Sequence, residues 1–189
     1  MNSYKCLNQQ VFEAGQYKLM PIRSKDRYLI MEWRNEQIDI LRQKSLLTEK
    51  QQDVYFKKVI RKLFSQDHPD QILWSFFENE SFIGYGGLVH IDWESKNAEI
   101  SFLLATKRNQ EISVFSNDIK AYIKMIKKIA FKELGFQKIY TYSYNIRPYL
   151  YPLLLTCNFK EEARLHKHIF INDSFQDVLI HSCFNDVSI

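Results

Sequence analysis

The sequence predicts an α/β fold, with a mixed, mostly antiparallel central sheet and helices on both faces. Three observations carry this. The spacing of apolar residues switches between alternation and helical periodicity in the order β-α-α-β-β-β-α-β-α-β-β. Short turns at Asn79 and at Asn172-Asp173 join neighbouring strands, so hairpins dominate. A Gly-punctuated strand, Phe82-Ile83-Gly84-Tyr85-Gly86-Gly87, precedes an acid-bearing strand, a polar loop and a long amphipathic helix. That order suits a sheet that cradles a ligand.

Residues 1–15 are a loose leader or an extra strand. Residues 17–22 alternate weakly and open the sheet, and 26–33 make a short apolar-faced helix. Thr48 begins the next helix through a capping box, because Gln51 stands at its third position. Phe56, Val59, Ile60 and Leu63 recur there at helical spacing, with Lys57, Lys58, Arg61 and Lys62 on the other side. Strands are expected over 72–78, 82–93 and 98–104, then a loop over 106–115. Ser116 is the expected N-cap of a helix running to about Leu134. Ile119, Ile123, Ile126, Ala130 and Leu134 mark its buried face, and Gly135 stops it. A strand over 138–144 follows, then a helix whose first turn Pro148 pre-sets and which ends near Cys157. Strands over 160–171 and 175–183 complete the sheet. No repeat, low-complexity segment or Pro/Gly linker breaks the pattern, so 1–189 is expected to be a single domain.

Composition excludes several classes. At 46% hydrophobic and 25% charged, the chain is ordinary for a globular protein. A formal charge of +4 suits an anionic ligand but lacks the dense basic patch of a nucleic-acid binder. Aromatics at 15% favour strands and a lined groove. Three cysteines without a C-x-x-C spacing fit a reduced, cytoplasmic protein. The N-terminus shows no apolar signal core, and no apolar run is long enough to span a bilayer, so no membrane association is expected.

Four short segments resemble the GNAT acetyltransferase superfamily. They are Trp33-Arg34-Asn35 after the first helix, Phe82-Ile83-Gly84, Ala98-Glu99-Ile100-Ser101, and Cys157-Asn158-Phe159 where the family usually carries Gly-Phe. Their order and spacing cover roughly residues 17–183. They are most similar to the branch of ribosomal-protein N-terminal acetyltransferases and nucleotide-amino-sugar N-acetyltransferases. The resemblance implies a GNAT-like sheet, acetyl-CoA as co-substrate without a metal, and direct transfer of an acetyl group to a primary amine. The amine would belong to a small molecule, foremost a nucleotide-linked amino sugar, or to a ribosomal-protein N-terminus. A non-catalytic GNAT-fold acyl-CoA-binding module is the reading from another class, and a monomer or homodimer is expected. The chain departs from the family pattern at Glu111 and Ser113, which replace both glycines of the pyrophosphate loop. Arg147 stands for the usual Asn, and Leu154 for the usual Tyr acid.

The same resemblance assigns the candidate site. Glu99, on the strand that pairs with the thioester, is either the general base, directly or through water, or an ordinary cross-strand carboxylate. The backbone of Phe102, Leu103 and Leu104 would bind the pantetheine arm and offer an oxyanion donor. Arg108, Asn109, Ser113 and the helix start at Ser116 would hold the pyrophosphate. Arg147 would contact CoA or an anionic substrate. Tyr149 either returns a proton to the leaving thiolate or simply packs. Arg34 and Asn35 would meet the acceptor. His90 and His181 either line the acceptor pocket or are structural. His166 and His168 show no convergence with the cysteines, so no metal is expected. No cysteine lies on the acid-bearing strand, so no acyl-cysteine is expected.

Overall fold

The computed structural model of the chain describes residues 2–185. Eight strands form one sheet in the order β1-β2-β3-β4-β5-β6-β8-β7. They are β1 (Phe12–Ala14), β2 (Tyr17–Pro21), β3 (Ile72–Glu78), β4 (Ser81–Asp92), β5 (Asn97–Leu104), β6 (Lys138–Tyr144), β7 (Lys160–Ile171) and β8 (Ser174–Phe184). The leader therefore adds a strand, β1. It is pinned further by the buried Tyr4, whose hydroxyl donates to Leu73 O at 2.8 Å and accepts from Leu73 N at 3.0 Å. In the turn between β7 and β8, Asn172 and Asp173 both take positive φ, 51° and 57°, as a tight two-residue hairpin demands.

Helices cover both faces. Next to β4 and β5, α1 (Arg27–Glu36) buries Ile30 and Trp33. It extends past the expected end, so Arg34 and Asn35 lie in its last turn. The capping box at Thr48 and Gln51 opens α2 (Glu49–Tyr55), which runs through a π turn (Phe56–Ile60) into α3 (Arg61–Leu63). On the opposite face lies α4 (Ile112–Lys128), continued by a π turn (Ile129–Glu133). The short α5 (Leu150–Thr156) carries Pro152 in its first turn, where no N–H is needed. Asn158 follows it at φ 65°, the left-handed position that glycine usually fills, and so explains the Asn-for-Gly exchange in Cys157-Asn158-Phe159.

Adjacent strand residues point to opposite faces. Tyr85 meets α1 and α2, while Gly86 lies under α4. A side chain at Gly86 would place its Cβ 2.2 Å from Ser101 O and 2.5 Å from the Tyr122 hydroxyl. That hydroxyl donates to Ser101 O at 2.7 Å and belongs to the buried stripe Phe115, Ile119, Tyr122 and Ile126 of α4. The stripe also sets where α4 begins. The helix starts at Ile112, not at Ser116, because burying Phe115 recruits one more turn. Ser116 lies inside it, donating to Ile112 O at 2.6 Å.

One feature of the sheet positions the site. All strand pairs are antiparallel except β5 and β6, which α4 connects in parallel. Their pairing covers only Asn97↔Lys138, Ala98↔Ile139 and Glu99↔Tyr140. Beyond Glu99, β5 continues to Leu104 and β6 to Tyr144 without further rungs, so the sheet splits into a cleft. Clefts at the carboxyl ends of parallel strands are where open α/β sheets bind ligands.

Candidate active site

The cleft encloses a volume of about 180 Å³. Glu99, Ser101 and Phe102 of β5 form one wall, and Tyr142 and Tyr144 of β6 the other. Arg147 closes the far end, and Leu41 and Arg42 reach over from the segment after α1. Backbone orientation decides what β5 presents. Ser101 O and Leu103 O lie against Gly86 and Gly84 of β4. Alternation then turns the N–H and C=O of Phe102 into the cleft, past the last rung of the ladder. An extended amide ligand can add there as a further strand. The expectation for Phe102, Leu103 and Leu104 narrows accordingly. Leu103 is directed to β4, and Leu104 O already accepts from Gln37 Nε2 at 2.9 Å.

Glu99 sits where the strands part and is only 5% exposed. One carboxylate oxygen is ion-paired with Arg42, and the other lies 3.9 Å from His90 Nε2. A β-bulge between Val89 and Asp92, with His90 at φ 48°, sets His90 beside Glu99. Burial raises the Glu99 pKa above its ordinary value, against the lowering charges of Arg42 and His90. A buried carboxylate with a raised pKa is a poised proton acceptor. Arg42→Gln is expected to raise that pKa further. The ascending limb of the kcat/KM pH profile should then move to higher pH, because the base form disappears earlier on acidification. A limb that stays in place would separate Arg42 from the titration of Glu99.

A second cavity, of about 310 Å³, lies on the α1–α2 side of the sheet. It shares Arg34 and Ser101 with the cleft. Apolar side chains such as Ile30, Phe56 and Leu73 form its body, and Tyr55 and Tyr85 add hydroxyls. Arg34 donates to Tyr85 Oη at 2.7 Å and to Gln43 Oε1 at 2.9 Å.

Of the residues expected from the sequence, Glu99, His90, Phe102, Arg34 and Arg147 come together. Arg147 has its guanidinium 5.4 Å from the Phe102 ring, and burial draws its pKa down. Among the described residues no carboxylate lies within ion-pairing distance of it. The others go elsewhere. Arg108 is not turned to a phosphate: its guanidinium pairs with Asp118 through Nε and Nη2, and with Glu78 through Nη1 at 3.0 Å. Asn109 donates to Gln37 Oε1 at 2.5 Å and braces the side chain that holds Leu104. Ser113 donates to the Glu111 carboxylate at 2.6 Å, at the start of α4. Asn35 clasps the following segment, accepting from Leu47 N at 2.8 Å and donating to Leu47 O at 2.9 Å. Tyr149 packs edge-on against Phe115 at 5.2 Å, outside the cleft wall. His181 is buried and stacked on Tyr151 at 5.3 Å, in neither cavity wall.

Sequence reasoning missed Arg42, Gln37, Ser101, Tyr142 and Tyr144. Only the tyrosines left a signal. Tyr140, Tyr142 and Tyr144 alternate along β6 with the buried Thr141 and Ser143, which puts them on one face. Among the described residues no cluster of three or more His, Cys, Asp or Glu is placed to hold a metal ion. Among the described residues no helix is long and apolar enough to cross a membrane.

The site is thus a sheet split at a parallel strand pair, with a free strand edge and a buried acid at the fork. The family model for the Acetyltransferase (GNAT) domain matches residues 19–180, and the chain belongs to that family. No curated protein matches it in sequence. Among solved structures it is similar to the spermidine N-acetyltransferase of Vibrio cholerae in complex with CoA and spermine. That match has a TM-score of 0.77 at 19% identity, covering 91% of this chain and 97% of that one. A dodecameric structure of the same enzyme matches with a TM-score of 0.72 at 20% identity, over 91% and 95%. At such identity the likeness is one of fold.

Proposed function

We propose that the chain acetylates the primary amine of a small molecule, with Glu99 as the base. The observation that carries this is the place of Glu99, buried at the fork of β5 and β6, beside the wall that the two cavities share. The free Phe102 edge suits the amides of the pantetheine arm, and Arg147 suits an anionic part of CoA. The acceptor enters from the 310 Å³ cavity. An alkyl ammonium has a pKa near ~10.4. Glu99 takes its proton, directly or through a water, and frees the lone pair that forms the new amide bond as the carbon–sulfur bond breaks. Tyr142 or Tyr144, in place of Tyr149, gives a proton to the thiolate and is reprotonated by the second proton that the attacking nitrogen sheds on becoming an amide, while Glu99 releases the first to solvent. Burial raises the pKa of Tyr144, so it is held in the donating form.

A cavity of this size lies at the small end of ligand pockets, which favours a compact amine over a ribosomal-protein N-terminus. A nucleotide-linked amino sugar would have to leave its nucleotide outside. Titrating acetyl-CoA by calorimetry and then offering an amine panel tests the reading. Micromolar binding with amine-dependent CoA release is expected. Absence of binding would overturn it, and binding without turnover of any amine would favour a non-catalytic acyl-CoA-binding module.

The altered loop bears on the same titration. Glu111 brings a carboxylate to the start of α4, where a phosphate gains most from the helix dipole. Glu111→Gly combined with Ser113→Gly is expected to keep or improve acetyl-CoA affinity. A large loss would show that one of these side chains helps to bind it.

A further inference from the structure

The charge inventory of the acceptor cavity points to a class of amine. Its only ionised side chain is Arg34. The remaining polar groups are neutral: Gln51, Gln52, Gln71, Tyr55, Tyr85 and Ser101. Arg34 has no carboxylate partner among the described residues, and two of its five N–H groups are engaged, by Tyr85 and Gln43. A guanidinium held in place by neutral partners, with donors left over, is a preorganised receptor for an oxyanion. The groove outside the cavity shares Gln51 and Tyr55 with it and is lined by Lys50 and Lys58, with no acid. Its charge attracts anions to the side of α2 that the two share. Two carboxylates lie outside the cavity lining: Asp70, next to Gln71, whose charge adds to burial in raising the Tyr55 pKa, and Glu99, which the proton transfer requires and which Arg42 already pairs.

We infer that the acceptor is an amine that also carries an oxyanion, carboxylate or phosphate, on an apolar body, and that Arg34 receives the anion. This rests on the acetyltransferase reading above and adds its substrate class. A polyamine is the wrong shape of charge for this cavity. Each ammonium beyond the reacting one would be buried against Arg34 and neutral amides, with no carboxylate in the lining to offset its desolvation.

The test is a matched series: phenylalanine, its aminophosphonate analogue, phenethylamine and spermidine, each assayed by CoA release. The first two separate a carboxylate from a phosphate-like anion. Phenethylamine has the same body without an anion, and spermidine is the polycation. In the wild type, kcat/KM for at least one anion-bearing amine is expected to exceed that of phenethylamine and of spermidine by about tenfold or more. In Arg34→Gln that ratio should collapse toward one, and in Arg34→Lys, which keeps the charge but not the fork, part of it should return. A ratio that survives Arg34→Gln would mean that lower amine basicity, not the anion, sets the preference, and would overturn the inference. So would a preference for spermidine or phenethylamine in the wild type. In those outcomes turnover still occurs, so the acetyltransferase reading stands. Failure of that reading shows instead as loss of acetyl-CoA binding in the calorimetric titration.

Discussion

Replacing Glu99 with Gln is expected to lower kcat by roughly 10²–10⁴-fold at neutral pH, the usual contribution of a positioned general base. Acetyl-CoA affinity should change far less, because the carboxamide keeps the shape of the side chain and Phe102 still presents its backbone. The pH dependence separates a base from a structural carboxylate. The raised pKa of Glu99 means that wild-type activity falls away on acidification sooner than it would with an ordinary carboxylate. The variant lacks that limb. Its defect should shrink as pH rises toward the amine pKa, where the acceptor deprotonates unaided. Equal activity of the two proteins across the pH range would remove Glu99 from the mechanism.

Arg108→Ala is expected to destabilise the fold by about 3–5 kcal/mol, the range for removing one partner of a buried ion pair. Asp118 is fully buried, and Arg108 supplies its positive charge while also pairing with Glu78. Tyr17 adds a hydrogen bond to Asp118 at 3.0 Å, and burial together with that carboxylate raises the tyrosine pKa. The cluster ties β2 and β3 to the loop before α4 and to α4 itself. For a chain of this size the loss corresponds to a fall in Tm of roughly 2–4 °C per kcal/mol. Arg108→Met combined with Asp118→Leu should recover much of it, because the fully buried charge goes with its partner and Glu78, which also loses Arg108, keeps contact with water. Thermal unfolding of the single and double variants measures both. An Arg108→Ala protein as stable as wild type but weak in CoA binding would restore the phosphate role expected from the sequence.

The fate of Arg108 shows what a sequence can carry. Strand and helix positions were legible because each rests on a local run, period or cap: the apolar runs of β3 and β4 bounded by turns, the alternation in β6, the Thr48–Gln51 capping box, the stop at Gly135. The start of α4 was not, because it depends on Phe115 finding a place in the core. The acid at the fork was legible as Ala98-Glu99-Ile100-Ser101, since a strand motif fixes which residue faces the cleft. Arg108 matched a loop motif, but the motif does not contain Glu78 or Asp118, the groups that decide where a guanidinium goes. Asn35 failed for a similar reason, as its partner Leu47 lies across an irregular segment. Arg42 belongs to that segment, which has neither period nor motif, and only the folded chain brings it to Glu99.

In the proposed reaction acetyl-CoA lies along the free edge of β5 with its reacting end at Glu99. A structure of the protein with bound CoA is the decisive measurement. The pantetheine arm is expected in the cleft between β5 and β6, hydrogen-bonded to the backbone of Phe102, with its sulfur close enough to Glu99 for an amine or one bridging water between them. CoA bound away from the β5 edge, or with its sulfur remote from Glu99, would contradict it.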